Sequence, residues 1–510
     1  MLARIRSAAV QGVDAHPIEV EVNVGWGDML IVIVGLPDTA VKESRDRVST
    51  AITNSGFKLD LGRTTINLAP ADVRKAGPSF DLPIALGMLA GSEQMSCDRL
   101  DRFVAVGELA LTGAVRAVKG VLAIALRARA EGCEGLLVPE ENAKEAAVVS
   151  GLKVYGVRNL REAAAFLDGE QPLEPTRVDI DRLFEIRDSD GADFADVRGQ
   201  ESVKRALEIA AAGGHNLLLL GPPGTGKSML ARRIPTILPP LTLEEALETT
   251  KVHSIAGLLV PGQALVTRRP FRSPHHTASD AGLLGGNANP TPGEISVAHH
   301  GVLFLDELPE FKRTVLETLR QPMEEGRVTI SRAAGTMTFP AQFMLVAAMN
   351  PTPDGKMPAE SRSSAREIQN YLGRVSGPLL DRIDIHTEVP PVKFRDMAGD
   401  QPGESSSAIR VRVIEARHRQ LARFKDKDRP GISCNARMES RQIRRHCRLD
   451  DSTRSQLENA MKDFGLSARA YDRILKVSRT IADLDASESI TGDHLFEAIQ
   501  LRSLDRQIWG

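Results

Sequence analysis

The sequence predicts an α/β protein in which a nucleotide-binding parallel sheet lies between an α+β domain and a bundle of helices. Three observations carry this. Four leucines, residues 217–220, lead into Gly221-Pro-Pro-Gly-Thr-Gly-Lys-Ser228, a glycine-rich turn from a buried strand into a helix. A second apolar run, residues 302–305, ends in the acidic pair Asp306 and Glu307. From residue 409 onward apolar residues recur at helical rather than strand spacing.

At 510 residues the chain exceeds a single core, and usual domain sizes divide it into about three. An apolar content of 42% and a charged content of 26% are those of an ordinary folded protein. Aromatics make up 4%, so the cores must be built from Leu, Ile, Val and Ala. No apolar run reaches the ~18 residues of a membrane span, and the N-terminus lacks the apolar stretch of a signal peptide. Cys97, Cys133, Cys434 and Cys447 show no metal-ligand spacing, so reduced thiols in a cytoplasm are expected. The net charge of −2 hides an asymmetry: residues 409–483 hold 19 Lys/Arg against 10 Asp/Glu. That basic stretch suits either a nucleic-acid face or a solvated helical surface.

Residues 1–168 read as the α+β domain. Ile18, Val20 and Val22 alternate with Glu19, Glu21 and Asn23, the pattern of a half-buried strand. A turn at Gly25-Trp-Gly leads to a more buried strand at 30–34, then a helix over 40–53 with Val41, Val48 and Ile52 on one face. Strands follow at 65–68, 104–107 and 136–138, with helices at 82–89 and 120–131. Residues 169–193 are a linker with a short helix near 180–186, since apolar residues thin out around Pro172, Pro175 and Asp188-Ser-Asp-Gly191.

Residues 194–395 form the motor domain. The glycines of 221–228 let backbone N–H groups converge on phosphate at a helix N-terminus, with Pro222, Pro223 and Thr225 completing the loop around Gly221, Gly224 and Gly226. Lys227 reaches the β- and γ-phosphates, and the Ser228 hydroxyl takes a place on Mg²⁺. ATP and Mg²⁺ are therefore the expected cofactors. Asp306 is placed to hold Mg²⁺ through water, and Glu307 to deprotonate the attacking water. A strand over 345–349 ends at Asn350, an amide able to bond the γ-phosphate or that water. Residues 326–339 alternate as a β-hairpin carrying Arg332, and a glycine-rich insertion over 282–293 follows the segment Phe271-Arg-Ser-Pro-His-His-Thr277. The pairs His275-His276 and His299-His300 lack a Cys or carboxylate at ligand spacing, so metal binding is not the expected use. Residues 396–510 read as a lid: a flexible connection at 402–407, then helices near 409–424, 452–464, 468–482 and 493–503.

Several segments together carry a resemblance: Leu36-Pro-Asp38, Arg269-Pro-Phe-Arg-Ser-Pro-His-His-Thr277, Gly293-Glu-Ile-Ser-Val-Ala-His-His-Gly301 and Leu305-Asp-Glu-Leu-Pro-Glu-Phe311. On these the chain resembles the magnesium-chelatase-like AAA+ family, YifB/ComM type, over nearly its whole length. The resemblance implies a P-loop ATPase core with a helical lid, behind a Lon-protease-like (ribosomal S5 domain 2-like) N-terminal domain. It implies Val197 and Gln200 at the adenine pocket, Asn350 as sensor 1, Arg382 as an arginine finger serving the neighbouring subunit, and Arg469, with Arg473 as rival, as sensor 2. By similarity to minichromosome-maintenance helicases, Arg332 touches DNA. The implied activity is an ATP-driven homo-hexameric motor on single-stranded or branched DNA. It would act as a branch-migration helicase in natural transformation, alongside recombination proteins and away from membranes. A metal-chelatase-type motor and a protein-remodelling ATPase are the alternatives. Glu108-Leu-Ala-Leu-Thr-Gly113 and Gly77-Pro-Ser79 resemble the Lon proteolytic domain, with Ser79 at the nucleophile position. The base position falls on Leu122, which accepts no proton, so peptidase activity is not expected; Ser79 reads instead as a helix N-cap.

Overall fold

A computed structural model describes residues 2–25, 27–28, 30–59, 62–185, 191–286, 290–332, 335–392, 403–424, 432–464, 467–502 and 504. The expected turn at Trp26, the linker core at 186–190, the hairpin tip at 333–334 and Pro402 of the expected 402–407 connection lie outside the described residues. The chain divides into two compact units. One comprises Met1–Arg187, Leu243–Thr267 and Gly335–Phe339; the other comprises Asp188–Thr242, Arg268–Ala334 and Pro340–Gly510.

The first unit is built on strands β1 (Leu2–Gln11), β2 (Asp14–Val24), β3 (Leu30–Val34), β4 (Arg63–Ala69), β5 (Phe103–Ala105), β6 (Glu108–Leu109), β7 (Val115–Arg116), β8 (Gly135–Pro139) and β9 (Lys153–Val157). Seven of them form one mixed sheet in the order β3-β4-β2-β1-β5-β8-β9, while β6 and β7 pair separately. The tight β1–β2 hairpin sets the register from Gln11↔Asp14 out to Leu2↔Asn23. Alternation in β2 buries Ile18, Val20 and Val22 beneath helix Asp81–Gly91, all of whose residues are buried. Helix Thr39–Asn54 buries Val41, Val48 and Ile52, the face its spacing marked.

Two local expectations fail here. β3 is not more buried than β2: it is the sheet edge, with one neighbour only, and Leu30 and Val34 remain 47% and 41% exposed. Ser79 is not a helix N-cap. It lies in a short turn, Pro78–Phe80; the cap position is Phe80, and no side chain caps the helix. Asp81 opens the helix instead, and its buried carboxylate accepts hydrogen bonds from the Leu109 N–H, Ser44 Oγ and Arg47. Leu122 is buried in helix Val121–Ala130, its N–H donating to Glu145 Oε1 at 2.9 Å. Lys119 is exposed, and among the described residues no hydrogen bond joins a lysine to the Ser79 hydroxyl. Ser254, arriving from the middle of the chain, donates to the same Glu145 at 2.5 Å and thereby pins helix Leu243–Ala256 to this unit.

The second unit holds β10 (Leu217–Leu220), β11 (Phe271–Arg272), β12 (Val302–Leu305), β15 (Met344–Met349) and β16 (Ile385–Glu388), parallel throughout in the order β11-β12-β15-β10-β16. Between β12 and β15 the chain forms the hairpin β13 (Arg327–Arg332) and β14 (Gly335–Pro340). The central strands are buried on both faces, which is why they read as unbroken apolar runs. The lid helices are Ser406–Phe424, Ser440–His446, Asp451–Phe464, Ala468–Leu484 and Gly492–Gln500. The short second helix was not anticipated, because its seven residues, Ser-Arg-Gln-Ile-Arg-Arg-His, offer one buried apolar side chain. Ile409, Val413 and Ala416 share one apolar cluster with Leu207 and Ala211 of helix Glu201–Gly213, and Arg412 reaches Glu208 at 2.5 Å. The cysteines are free; burial pushes the Cys447 thiol up to about 12. Among the described residues no helix is long and apolar enough to cross a membrane.

Two of the lid's arginines are committed to one buried carboxylate. Asp483, 1% exposed, accepts from Arg423 (3.0 Å), Arg479 (3.2 Å) and Asn435 (2.8 Å). Asp483→Ala would strand two arginines against a buried void, and should destabilise the folded chain by about 3–5 kcal/mol in denaturant unfolding.

Candidate active site

Parallel strands deliver their C-terminal ends to one edge of the sheet, and the side chains that follow β10, β12 and β15 converge there. After β10 the phosphate loop turns through Gly224 (φ +79°) and Gly226 (φ +88°), left-handed positions that glycine occupies without strain. Lys227 is 8% exposed, and its ammonium donates to Gly221 O (2.6 Å), Pro222 O (2.9 Å) and Asn350 Oδ1 (3.1 Å). Burial lowers its pKa, and the nearby Asp306 and Glu307 carboxylates oppose that shift. Ser228 Oγ donates to Asp306 Oδ2 at 2.5 Å, joining the phosphate helix to the end of β12.

Thr225 Oγ1 donates to Pro222 O (2.9 Å), and Gln200 Nε2 donates to Thr225 O (2.9 Å) and Pro390 O (3.1 Å), so both brace the loop. Gln200 itself has φ +59° and starts helix Glu201–Gly213, while Val197 is buried in the core beside it. A hydroxyl and a carboxylate in contact are hard oxygen donors of the kind Mg²⁺ takes, few in number with water filling the rest. The loop, Ser228 and Asp306 therefore fit ATP with Mg²⁺.

Glu307 also has a left-handed backbone (φ +53°), and its N–H donates to Asp306 Oδ1 at 3.0 Å. Three contributors escaped sequence reasoning. Tyr371 Oη donates to Asn350 O (3.3 Å), and burial pushes its phenol up to about 12. Asp354 gathers Thr352, Ser361 and the Arg362 N–H, ordering the loop after Asn350. His276 Nδ1 lies 3.3 Å from Glu307 Oε2. Tyr371 and His276 come from other segments and Asp354 from the loop just after Asn350; only the His-His pair left any mark in the sequence.

The arginines lie elsewhere. Arg382 is 6% exposed; it donates to Pro378 O (2.5 Å) and pairs with Glu324. It precedes β16, so the strand's four residues, about 13 Å at ~3.3 Å each, separate its backbone from the phosphate edge. Arg473 pairs with buried Asp384 at that same far edge, holding the carboxyl well below its usual range. Arg469 is 60% exposed and 3.8 Å from Asp381, which leaves it the freer of the two sensor-2 candidates. Arg332 is exposed on β13, and among the described residues it makes no ion pair.

Sheet order, phosphate loop, acidic pair and helical lid define an AAA+ P-loop ATPase, which uses ATP and Mg²⁺. Residues 193–397 match the family described as magnesium chelatase, subunit ChlI; residues 20–142 match subunit ChlI of Mg-chelatase, and residues 403–502 its C-terminal part. The chain is 46% identical to protein YifB of Salmonella typhimurium over 99% of its own length and 98% of that protein. It is equally similar to competence protein ComM of Haemophilus influenzae over the same shares. The magnesium-chelatase 38 kDa subunit of Rhodobacter capsulatus is 26% identical over 44% of this chain and 69% of its own. The chain belongs to the magnesium-chelatase-like YifB/ComM family.

Lys227→Ala should abolish nucleotide binding in a fluorescent-nucleotide titration. Glu307→Gln should bind ATP with undiminished affinity while single-turnover hydrolysis falls by about 10²–10⁴-fold. Undiminished turnover in either variant refutes the assignment.

Proposed function

We propose that the protein is an ATP-driven DNA motor that works as a ring of six copies in the cytoplasm, and that it is a branch-migration helicase promoting integration of transforming DNA by homologous recombination. The observation that carries this reading is a mechanical one. Arg332 stands exposed on a hairpin that runs directly into β15, and β15 ends at Asn350, whose amide touches Lys227. A load on the hairpin is thus one strand away from the triphosphate. The naming of a close relative as a competence protein gives the biological direction.

In this reading Lys227 and the loop N–H groups hold the phosphates, while Ser228 and Asp306 hold the cation. Glu307 takes the proton of the attacking water, and Asn350 orients that water against the γ-phosphate. Val197 and Gln200 lie against the base of the nucleotide. Arg469, beside Asp381, contacts nucleotide phosphate as sensor 2, and Arg382, at the opposite end of the sheet, serves the nucleotide of the adjoining copy. To do so Arg382 exchanges its Glu324 partner for phosphate oxygen.

ATP hydrolysis should rise with single-stranded or branched DNA, and stay flat with protoporphyrin plus Mg²⁺ or with unfolded protein; stimulation by one of those instead would select the metal-insertion or protein-remodelling alternative. Arg332→Ala should weaken DNA binding and shrink its salt dependence by roughly one phosphate contact. Arg382→Ala should lose about 10³-fold in turnover, yet regain activity when mixed with Lys227→Ala, because each variant supplies what the other lacks across a subunit boundary. No recovery in the mixture counts against a finger acting in trans.

A further inference from the structure

The segment between β11 and helix Glu294–Val297 is closed at its neck by a two-pronged ion pair. Arg272 Nε and Nη2 donate to the two Glu294 carboxylate oxygens at 2.6 and 2.7 Å. What that neck encloses touches two places that matter. Near its start, His276 Nδ1 lies 3.3 Å from Glu307 Oε2, and its ring meets Phe311 edge-on at 6.4 Å between centroids. Phe311 is 2% exposed, so the imidazole is anchored to the fixed wall just beyond the acidic pair. Further along, Gly285 and Gly286 lie against β13: a Cβ on Gly285 would come within 3.1 Å of Ile330, and one on Gly286 within 3.1 Å of the Arg332 guanidinium.

Glu307 needs such a partner. Its side chain is 58% exposed, leaves the strand end from a left-handed backbone, and has several rotatable bonds to hold still. A general base acts only in the geometry that meets the water, and a third group commonly holds it there. With the imidazole Nδ1 3.3 Å from Oε2, Oε1 is left for the proton released as water oxygen bonds to phosphorus and the bond to the leaving diphosphate breaks.

We propose that His276 is the positioning residue for the Glu307 carboxylate, and that the insertion following β11 relays contact at Arg332 to that carboxylate. This rests on the reading of Glu307 as hydrolytic base and Arg332 as DNA contact. Two points of one clamped segment, His276 near its start and Gly285-Gly286 at its middle, lie against the two sites, so displacement of the guanidinium by a DNA phosphate moves the glycine corner and, through the same backbone, the imidazole.

The test uses the full chain and compares wild type, His276→Ala, His276→Gln and Glu307→Gln in steady-state ATP hydrolysis with and without single-stranded oligonucleotide. His276→Ala should lower kcat roughly tenfold or more, leave KM for ATP within about twofold, and lose DNA stimulation. His276→Gln, which keeps an N–H donor, should recover much of the kcat. An unchanged kcat in His276→Ala, or a fall in kcat matched by a rise in KM with no rescue by Gln, overturns the positioning role. Retained DNA stimulation in His276→Ala overturns the relay. If Glu307→Gln itself hydrolyses ATP, the site reading has failed; if Glu307→Gln is inactive and His276→Ala behaves as wild type, only the present inference has.

Discussion

Strands that run the same way must finish at the same edge, and the chemistry of this molecule depends on that constraint. Lys227, Asp306 and Asn350 come from three separate stretches of chain, yet each sits just past the end of a parallel strand. The Ser228–Asp306 hydrogen bond and the three oxygens around the Lys227 ammonium then close the gaps between neighbouring strand ends. None of these side chains could be held so near the others by local structure alone. The double-sided burial of β10, β12 and β15 supplies the rigidity, because a sheet covered on both faces has no slack in register.

The same constraint divides labour between the two edges. Lys227, Asp306 and Asn350 lie past the C-terminal ends, whereas Arg382, Asp384 and Arg473 lie at the N-terminal ends of β10 and β16. An arginine side chain cannot span a strand's length, so Arg382 does not reach the far edge of its own sheet. Asp384 illustrates how firmly that far edge is built. It is fully enclosed, and its carboxylate is held by Arg473 and His215 while the Asn216 N–H donates to it. A buried carboxylate so surrounded costs much if one partner is removed, which makes this corner a stiff mount for the exposed arginine beside it.

Strain and insertion are concentrated around the acidic pair. Glu307 and Gln200 both adopt left-handed backbone conformations, and both border the phosphate loop. Non-glycine residues take that geometry at a cost that surrounding structure must offset, and such positions collect where a side chain has to be aimed. The insertion that brings His276 to Glu307 is the other departure from a minimal sheet domain. Its length is tolerated because Arg272 and Glu294 close its base with two charge-assisted hydrogen bonds.

Short-range periodicity and motif chemistry account for a definite part of this molecule. The strands at 217–220, 302–305 and 344–349, the phosphate loop, the acidic pair and the long lid helices follow from spacing within a few residues. The remainder depends on packing between distant segments. That β3 is an edge strand depends on sheet order, which no local pattern carries. That Ser79 caps nothing depends on a turn fixed by Asp81 and its three distant donors. That Asp483 draws in Arg423 and Asn435, and that His276 lies beside Glu307, depends on segments far apart in the chain being brought together. Periodicity records which face of an element is buried; it holds no record of what that face is buried against, because that choice is made by the packing free energy of the whole fold.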